Sequence, residues 1–213
     1  MRNRTEAQVT LVLIRHGATR ANEERRYLGR TEEGLSPQGR AALKKDRARQ
    51  RYPRLTHLFA SPMKRCLETA ELLYPKLLYP QLSPVVIPEW REMDFGCFEY
   101  KNYQELAGDA RYQAWIDSGG TGDFPEGESR AHFQKRCKQG FARMCRELQR
   151  LQQQEPKEQI HAGLIVHGGT IMTLMSVYEG GGYFDYQVPN GGGYVCSLLG
   201  SWEEPGLLKE EAL

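Results

Sequence analysis

The chain predicts an α/β fold, a three-layer sandwich in which a mostly parallel central sheet is flanked by helices. Short apolar runs alternate with helix-start signals along the sequence, the pattern of strand and helix units. Two of those runs deliver a histidine followed by glycine: 9–14 leads into Arg15-His16-Gly17, and 164–166 leads into His167-Gly168-Gly169-Thr170. In an open parallel sheet, ligands bind beyond the carboxyl ends of the strands. If the two runs are neighbours, both histidines lie at that edge, one beside an arginine. The length of 213 residues is enough for one sizeable α/β domain with its own core.

The elements follow in order. Residues 9–14 form the first strand. Ser36-Pro37 opens a helix to about 49, because serine caps helix N-termini and proline suits the first turn. Residues 56–60 form the second strand. Ser61-Pro62 repeats the cap chemistry and starts a helix to about 73. Residues 85–87 form a third short strand. From about 90 to 127 the pattern turns irregular and aromatic-rich, an insertion read as a lid within a single domain of 1–213. Phe133, Cys137, Phe141, Met144, Leu148 and Leu151 recur every three or four residues, the mark of an amphipathic helix. A fourth strand at 163–166 leads to a helix beginning near Gly169, and 194–199 forms the last strand. The polar tail after Trp202 is expected to fray.

Composition narrows the function classes. The net charge of +2 gives no reason to expect nucleic acid or an anionic membrane as partner. No stretch approaches the roughly 18 apolar residues of a membrane span. Residues 1–8 are polar, and the run after them is too short for the core of a signal peptide. A cytoplasmic protein is the expectation. Cys66, Cys97, Cys137, Cys145 and Cys196 are odd in number, with no CxxC pair and no zinc spacing, so reduced and mostly buried thiols are expected. No cofactor and no metal site is read from the sequence, and the oligomeric state is left open.

The chemistry-bearing residues suit phosphoryl transfer. A neutral imidazole at His16 can attack phosphorus and split one hard displacement into two easier ones. Arg15 offers a bidentate fork for phosphate oxygens, and Gly17 lets the backbone approach closely. Arg65, in the first turn of the second helix, is mildly unfavourable to the helix dipole, so another interaction is needed to justify it. It can aim at the same crevice. Amides behind His167 can cradle an anion. A leaving alkoxide needs an acid, and Glu92 and Asp94 both lie in the aromatic stretch after Trp90; sequence physics does not choose between them. Tyr112, Trp115 and Phe124 either stack on a flat ring of the substrate or form core.

In order, these pieces resemble the histidine phosphatase superfamily, its phosphoglycerate mutase-like branch. The matching segments are Leu13-Ile14-Arg15-His16-Gly17-Ala18-Thr19 with Asn22, Gly34-Leu35-Ser36-Pro37-Gln38-Gly39, Ser61-Pro62-Met63-Lys64-Arg65-Cys66-Leu67-Glu68-Thr69-Ala70, Arg91-Glu92-Met93-Asp94-Phe95-Gly96 and Val166-His167-Gly168-Gly169-Thr170. The resemblance implies His16 as the phosphorylated nucleophile and a phosphate pocket of Arg15, Asn22, Arg65, His167 and Gly168. It also implies Glu92 as proton donor, and no metal. The clan's other branch carries an aspartate where this chain has Gly168. Within the mutase-like branch the chain is most similar to bacterial α-ribazole phosphatases, through Glu92-Met93-Asp94-Phe95-Gly96, Tyr112-Gln113-Ala114-Trp115 and Phe124-Pro125-Glu126-Gly127-Glu128-Ser129. It departs from them at Phe98-Glu99-Tyr100 and at Pro125-Glu126-Gly127, where the family has tryptophan-glutamate-glycine and proline-glycine-glycine.

The expected activity is metal-independent hydrolysis of a small-molecule phosphomonoester, with α-ribazole 5'-phosphate of cobalamin biosynthesis as the substrate the resemblance suggests. The alternatives are a phosphoglycerate mutase-type isomerase and a broad-specificity sugar or small-metabolite phosphatase. A mutase needs extra cations at its lid, yet 90–127 holds only Arg91, Lys101 and Arg111 against an excess of carboxylates.

Overall fold

The computed structural model describes residues 9–154 and 159–213. The polar N-terminus at 1–8 that bears on the cytoplasmic expectation lies outside them. The strands are β1 (Val9–Arg15), β2 (His57–Ala60), β3 (Val85–Val86), β4 (Ile160–Val166), β5 (Gly193–Gly200) and β6 (Pro205–Ala212). They form one sheet in the order β3-β2-β4-β1-β5-β6. The first four of that order run parallel, and β5 is antiparallel to β1. Strands β1 and β4 pair in parallel from Val9↔Ile160 to Arg15↔Val166, so the two His-Gly turns leave the sheet side by side.

The helices are α1 (Arg20–Glu23), α2 (Pro37–Ala48), α3 (Lys64–Leu73), α4 (Ala110–Asp117), α5 (Arg130–Gln154) and α6 (Gly168–Tyr178). Side chains alternate across a strand. Leu11 and Leu13 therefore pack with Phe141 and Met144 of α5 and Leu174 of α6, while Val12 and Ile14 pack with Leu43 of α2 and Cys66 and Leu73 of α3. Strands β1 and β4 are buried on both faces and read as continuous apolar runs for that reason. A third, smaller core joins Met93, Phe98, Leu106 and Phe124 of the aromatic insertion to Phe133 and Cys137 of α5. Among the described residues, no helix is long and apolar enough to cross a membrane.

Two expectations need correction. The tail after Trp202 does not fray: β6 pairs antiparallel with β5 from Gly200↔Pro205 to Tyr194↔Ala212. Main-chain pairing and the burial of Leu207, 4% exposed, hold it, while Lys209, Glu210 and Glu211 face solvent on an edge strand. The second correction concerns Ser61. Helix α3 starts at Lys64 with Met63 as an N-cap that makes no side-chain cap bond. The Ser61 hydroxyl lies 2.8 Å from His167 Nε2 and accepts only a long bond, 3.4 Å, from the Met63 amide before the helix. Ser36 does cap α2, its Oγ accepting from Gly39 N at 2.9 Å.

Candidate active site

His16 continues the ladder one step past β1, its amide donating to Val166 O at 3.0 Å. Its imidazole therefore meets that of His167, with ring centroids 5.2 Å apart at 67°. His16 Nδ1 lies 2.7 Å from Gly17 O. A carbonyl only accepts, so Nδ1 carries the proton and Nε2 keeps a free lone pair. Burial, then Arg65 and Arg15, hold the pKa well below the ordinary 6.5. The ring is a neutral base near neutral pH. Gly17 packs closely against α2: a Cβ there would stand 2.6 Å from Leu43 Cδ1.

Arg65 is fully buried in the first turn of α3. Its Nη1 donates to Thr31 O at 3.0 Å and its Nη2 to Gly29 O at 2.8 Å, while Nε has no partner. Arg15 donates from Nη1 to Val188 O at 2.7 Å, and its Nε is buried and unpartnered too. Among the described residues, neither guanidinium forms a salt bridge. Arg65 is buried and Arg15 half-buried, and each keeps an unspent Nε donor. Glu99 of the insertion grips the same loop, accepting from Gly29 N at 2.9 Å, Thr31 N at 3.0 Å and Phe95 N at 3.3 Å.

His167 is the N-cap residue of α6. Its Nε2 lies 2.8 Å from Ser61 Oγ, and burial, then Arg65 and His16, hold its pKa well below 6.5. Gly168 opens α6 against Arg15: a Cβ there would sit 3.6 Å from Arg15 Nε. Asn22 lies in α1, its Oδ1 accepting from Thr19 N at 3.2 Å and Asn190 Nδ2 at 3.1 Å. Asn190 Nδ2 also donates to His16 O at 3.1 Å, which ties Asn22 to the His16 turn.

Glu92 and Asp94 occupy different environments. The Glu92 carboxylate accepts from Met93 N at 2.9 Å and from Gly169 N at 3.3 Å. Burial pushes its pKa above the ordinary carboxylate range, although the Met93 bond and Arg65 pull the other way. Asp94 is spent on local structure: Oδ1 accepts from Gly96 N at 2.9 Å and Oδ2 from Arg30 at 3.0 Å. Only Glu92 joins the cluster around His16, Arg15 and Arg65. Tyr112 and Trp115 stack on each other at 13°, and Trp115 packs 5.1 Å from Phe124. Phe124 is buried in the insertion's core, while Tyr112 and Trp115 lie half-buried against it.

Two imidazoles, two arginines without a salt-bridge partner among the described residues and a buried carboxyl gather at one sheet edge, and residues 11–196 match the family described as histidine phosphatase superfamily (branch 1). The chain belongs to that superfamily. Gly168 agrees with the branch, since the other branch carries an aspartate there. The protein named "Probable phosphoglycerate mutase GpmB" of Erwinia tasmaniensis is 30% identical over 133 residues, 61% of this chain and 60% of that protein. The chain thus spans less than two thirds of that relative's length. Phosphoglycerate mutase-like protein 4 of Arabidopsis thaliana is 28% identical over 168 residues, 77% of this chain and 68% of that protein. Among solved structures, the α-ribazole phosphatase of Shigella flexneri superposes with a TM-score of 0.70 at 22% identity, covering 94% of this chain and 95% of its own. A phosphoglycerate mutase of Thermus thermophilus gives 0.63 at 28% identity, covering 95% and 98%.

Three residues around this cluster are not legible in the sequence. Ser61 reads as a helix cap but meets His167, 106 residues away, and no local signal reports that. Glu99 reads only as the remnant of a family tripeptide. Asn190, in Pro189-Asn190-Gly191-Gly192, carries the local signature of a turn, which places it in a loop without pointing to His16.

Proposed function

We propose that this histidine phosphatase hydrolyses small phosphomonoesters through a phosphohistidine on His16 Nε2, without a metal ion. The observation that carries the reading is the buried Arg65 and half-buried Arg15, each with a buried, unspent Nε donor, beside a neutral imidazole whose lone pair is free. A phosphate dianion bound to Arg15 and Arg65, with help from His167, Asn22 and the Gly168 amide, satisfies those donors. His16 Nε2 attacks phosphorus, the P–O ester bond breaks, and the departing oxygen takes its proton from Glu92. Water then attacks phosphorus while giving a proton to Glu92. The P–N bond breaks, phosphate leaves, and His16 regains its lone pair with Nδ1 still protonated against Gly17 O.

The substrate we propose is α-ribazole 5'-phosphate, with a role in cobalamin biosynthesis in the cytoplasm. The lid segments resembling α-ribazole phosphatases support it. The names of the curated relatives favour isomerisation of a phosphoglycerate as the second reading. The lid chemistry opposes this, since Arg111 is neutralised by Asp109 and Glu126 and the other two lid cations, Arg91 and Lys101, are exposed. The test is a panel of phosphate esters that includes α-ribazole 5'-phosphate and 3-phosphoglycerate, scored for free phosphate and for isomerised product, with and without chelator. Phosphate release that survives chelation supports the reading. Isomerised product without phosphate release, or a loss restored by added metal, contradicts it.

A further inference from the structure

Arg136, on α5, has no role in the chemistry above, yet all five of its N–H donors are engaged. Nη1 donates to Glu89 O at 2.8 Å and to Arg91 O, and Nη2 donates to Glu92 O at 3.0 Å. Nε and Nη2 donate to the two carboxylate oxygens of Glu128 at 2.7 and 2.6 Å. The guanidinium also sits 4.6 Å from the ring centre of Phe133. The contrast with Arg15 and Arg65 is chemical. Those two keep unspent donors for an anion; Arg136 keeps none, so it cannot bind substrate phosphate without breaking what it holds.

What it holds is the main chain that presents Glu92. Three carbonyls of 89–92 converge on one rigid, planar cation. Glu128, only 9% exposed at its side chain, orients that cation in a bidentate pair and braces the far side of the turn, its own amide donating to Asp94 O at 2.9 Å. Trp90 Nε1 adds a bond to Cys137 O at 3.3 Å. Helix α5 is thus a splint for the segment ending in the acid. A carboxyl must lie within hydrogen-bond reach of the atom it protonates, and a misplacement of about 1 Å can cost about a hundredfold in rate.

We infer that Arg136, locked by Glu128, is a positioning residue that sets the Glu92 carboxyl for proton transfer. The inference rests on the reading of Glu92 as the proton donor. A plain structural brace would lower stability, or the turnover of every substrate alike; a positioning residue changes the dependence on leaving group, because only poor leaving groups need the proton.

The experiment measures kcat/KM for an alkyl phosphate and for para-nitrophenyl phosphate, with vanadate inhibition as a check on the phosphate cradle. Arg136→Lys keeps the charge and loses the fork, and Glu128→Gln keeps the shape and loses the charge. Glu92→Gln is run beside them. The alkyl phosphate should lose at least about tenfold in both splint variants, with para-nitrophenyl phosphate and vanadate changed by less than about threefold. An equal fall for both esters, or no fall, overturns the inference while a steep dependence in Glu92→Gln leaves the donor reading standing. No leaving-group dependence in Glu92→Gln overturns the donor reading, and this inference with it. If Arg136→Lys does not fold by circular dichroism, Glu128→Gln decides alone.

Discussion

Glu92 and Gly169 meet at a distance only glycine permits. The Gly169 amide donates to Glu92 Oε2 at 3.3 Å, and a Cβ at position 169 would stand 2.6 Å from Oε1 and 3.1 Å from the Phe133 ring. The carboxyl is the free end of a flexible side chain, so it gives way before the helix does. Gly169→Ala should therefore cut kcat/KM on alkyl phosphates by at least about tenfold. The melting temperature should hold or rise slightly, since alanine favours a helix over glycine by up to about 1 kcal/mol. Turnover at the wild-type level would mean the carboxyl works from another position.

The pH profile follows from two opposed shifts. Burial and the two arginines lower His16, so the attacking neutral form persists into acid below 6.5. Burial raises Glu92, so the donating protonated form persists above the ordinary carboxylate range. Turnover of an alkyl phosphate should fall on the acid side as His16 protonates and on the alkaline side as Glu92 ionises. Glu92→Gln should remove the alkaline limb and leave the acid one. Profiles of kcat/KM, corrected for the second ionisation of the ester, check this; an acid limb of the protein at 6.5 or above contradicts it.

Glu99 is expected to act on phosphate binding rather than on proton transfer. Its carboxylate holds the amides of Gly29 and Thr31, and the carbonyls of those same residues hold Arg65. Hydrogen bonds to a charged group contribute roughly 1.5–3 kcal/mol each. Glu99→Ala should weaken vanadate inhibition by about tenfold or more and lower turnover of alkyl and aryl phosphates by similar factors. A loss confined to poor leaving groups would assign Glu99 to the acid instead.

The legible parts of the fold are those where one physical signal dominates. Strands β1 and β4 are buried on both faces, and Phe133 to Leu151 keeps a helical period over several turns. Strand β6 hides because Leu207 alone is buried among charged neighbours. The start of α3 is misread because the Ser61 hydroxyl turns to a residue brought close only by the sheet. In the site, Arg15, His16 and His167 follow from the strand ends. Glu92 and Asp94 are locally equivalent, and their difference lies in the Gly96 and Arg30 bonds that absorb Asp94. The role of Arg136 is invisible to sequence because its partners are mostly main-chain carbonyls.

The central claim is a covalent phosphohistidine at His16, and trapping tests it most directly. Brief mixing with a labelled phosphate ester, followed by denaturation, should leave label that is lost in acid and kept in base. Mapping should assign it to His16, and His16→Ala should abolish both label and turnover. Label that survives in His16→Ala, or that maps to a cysteine such as Cys66, whose thiol burial pushes up to about 12, would contradict the account.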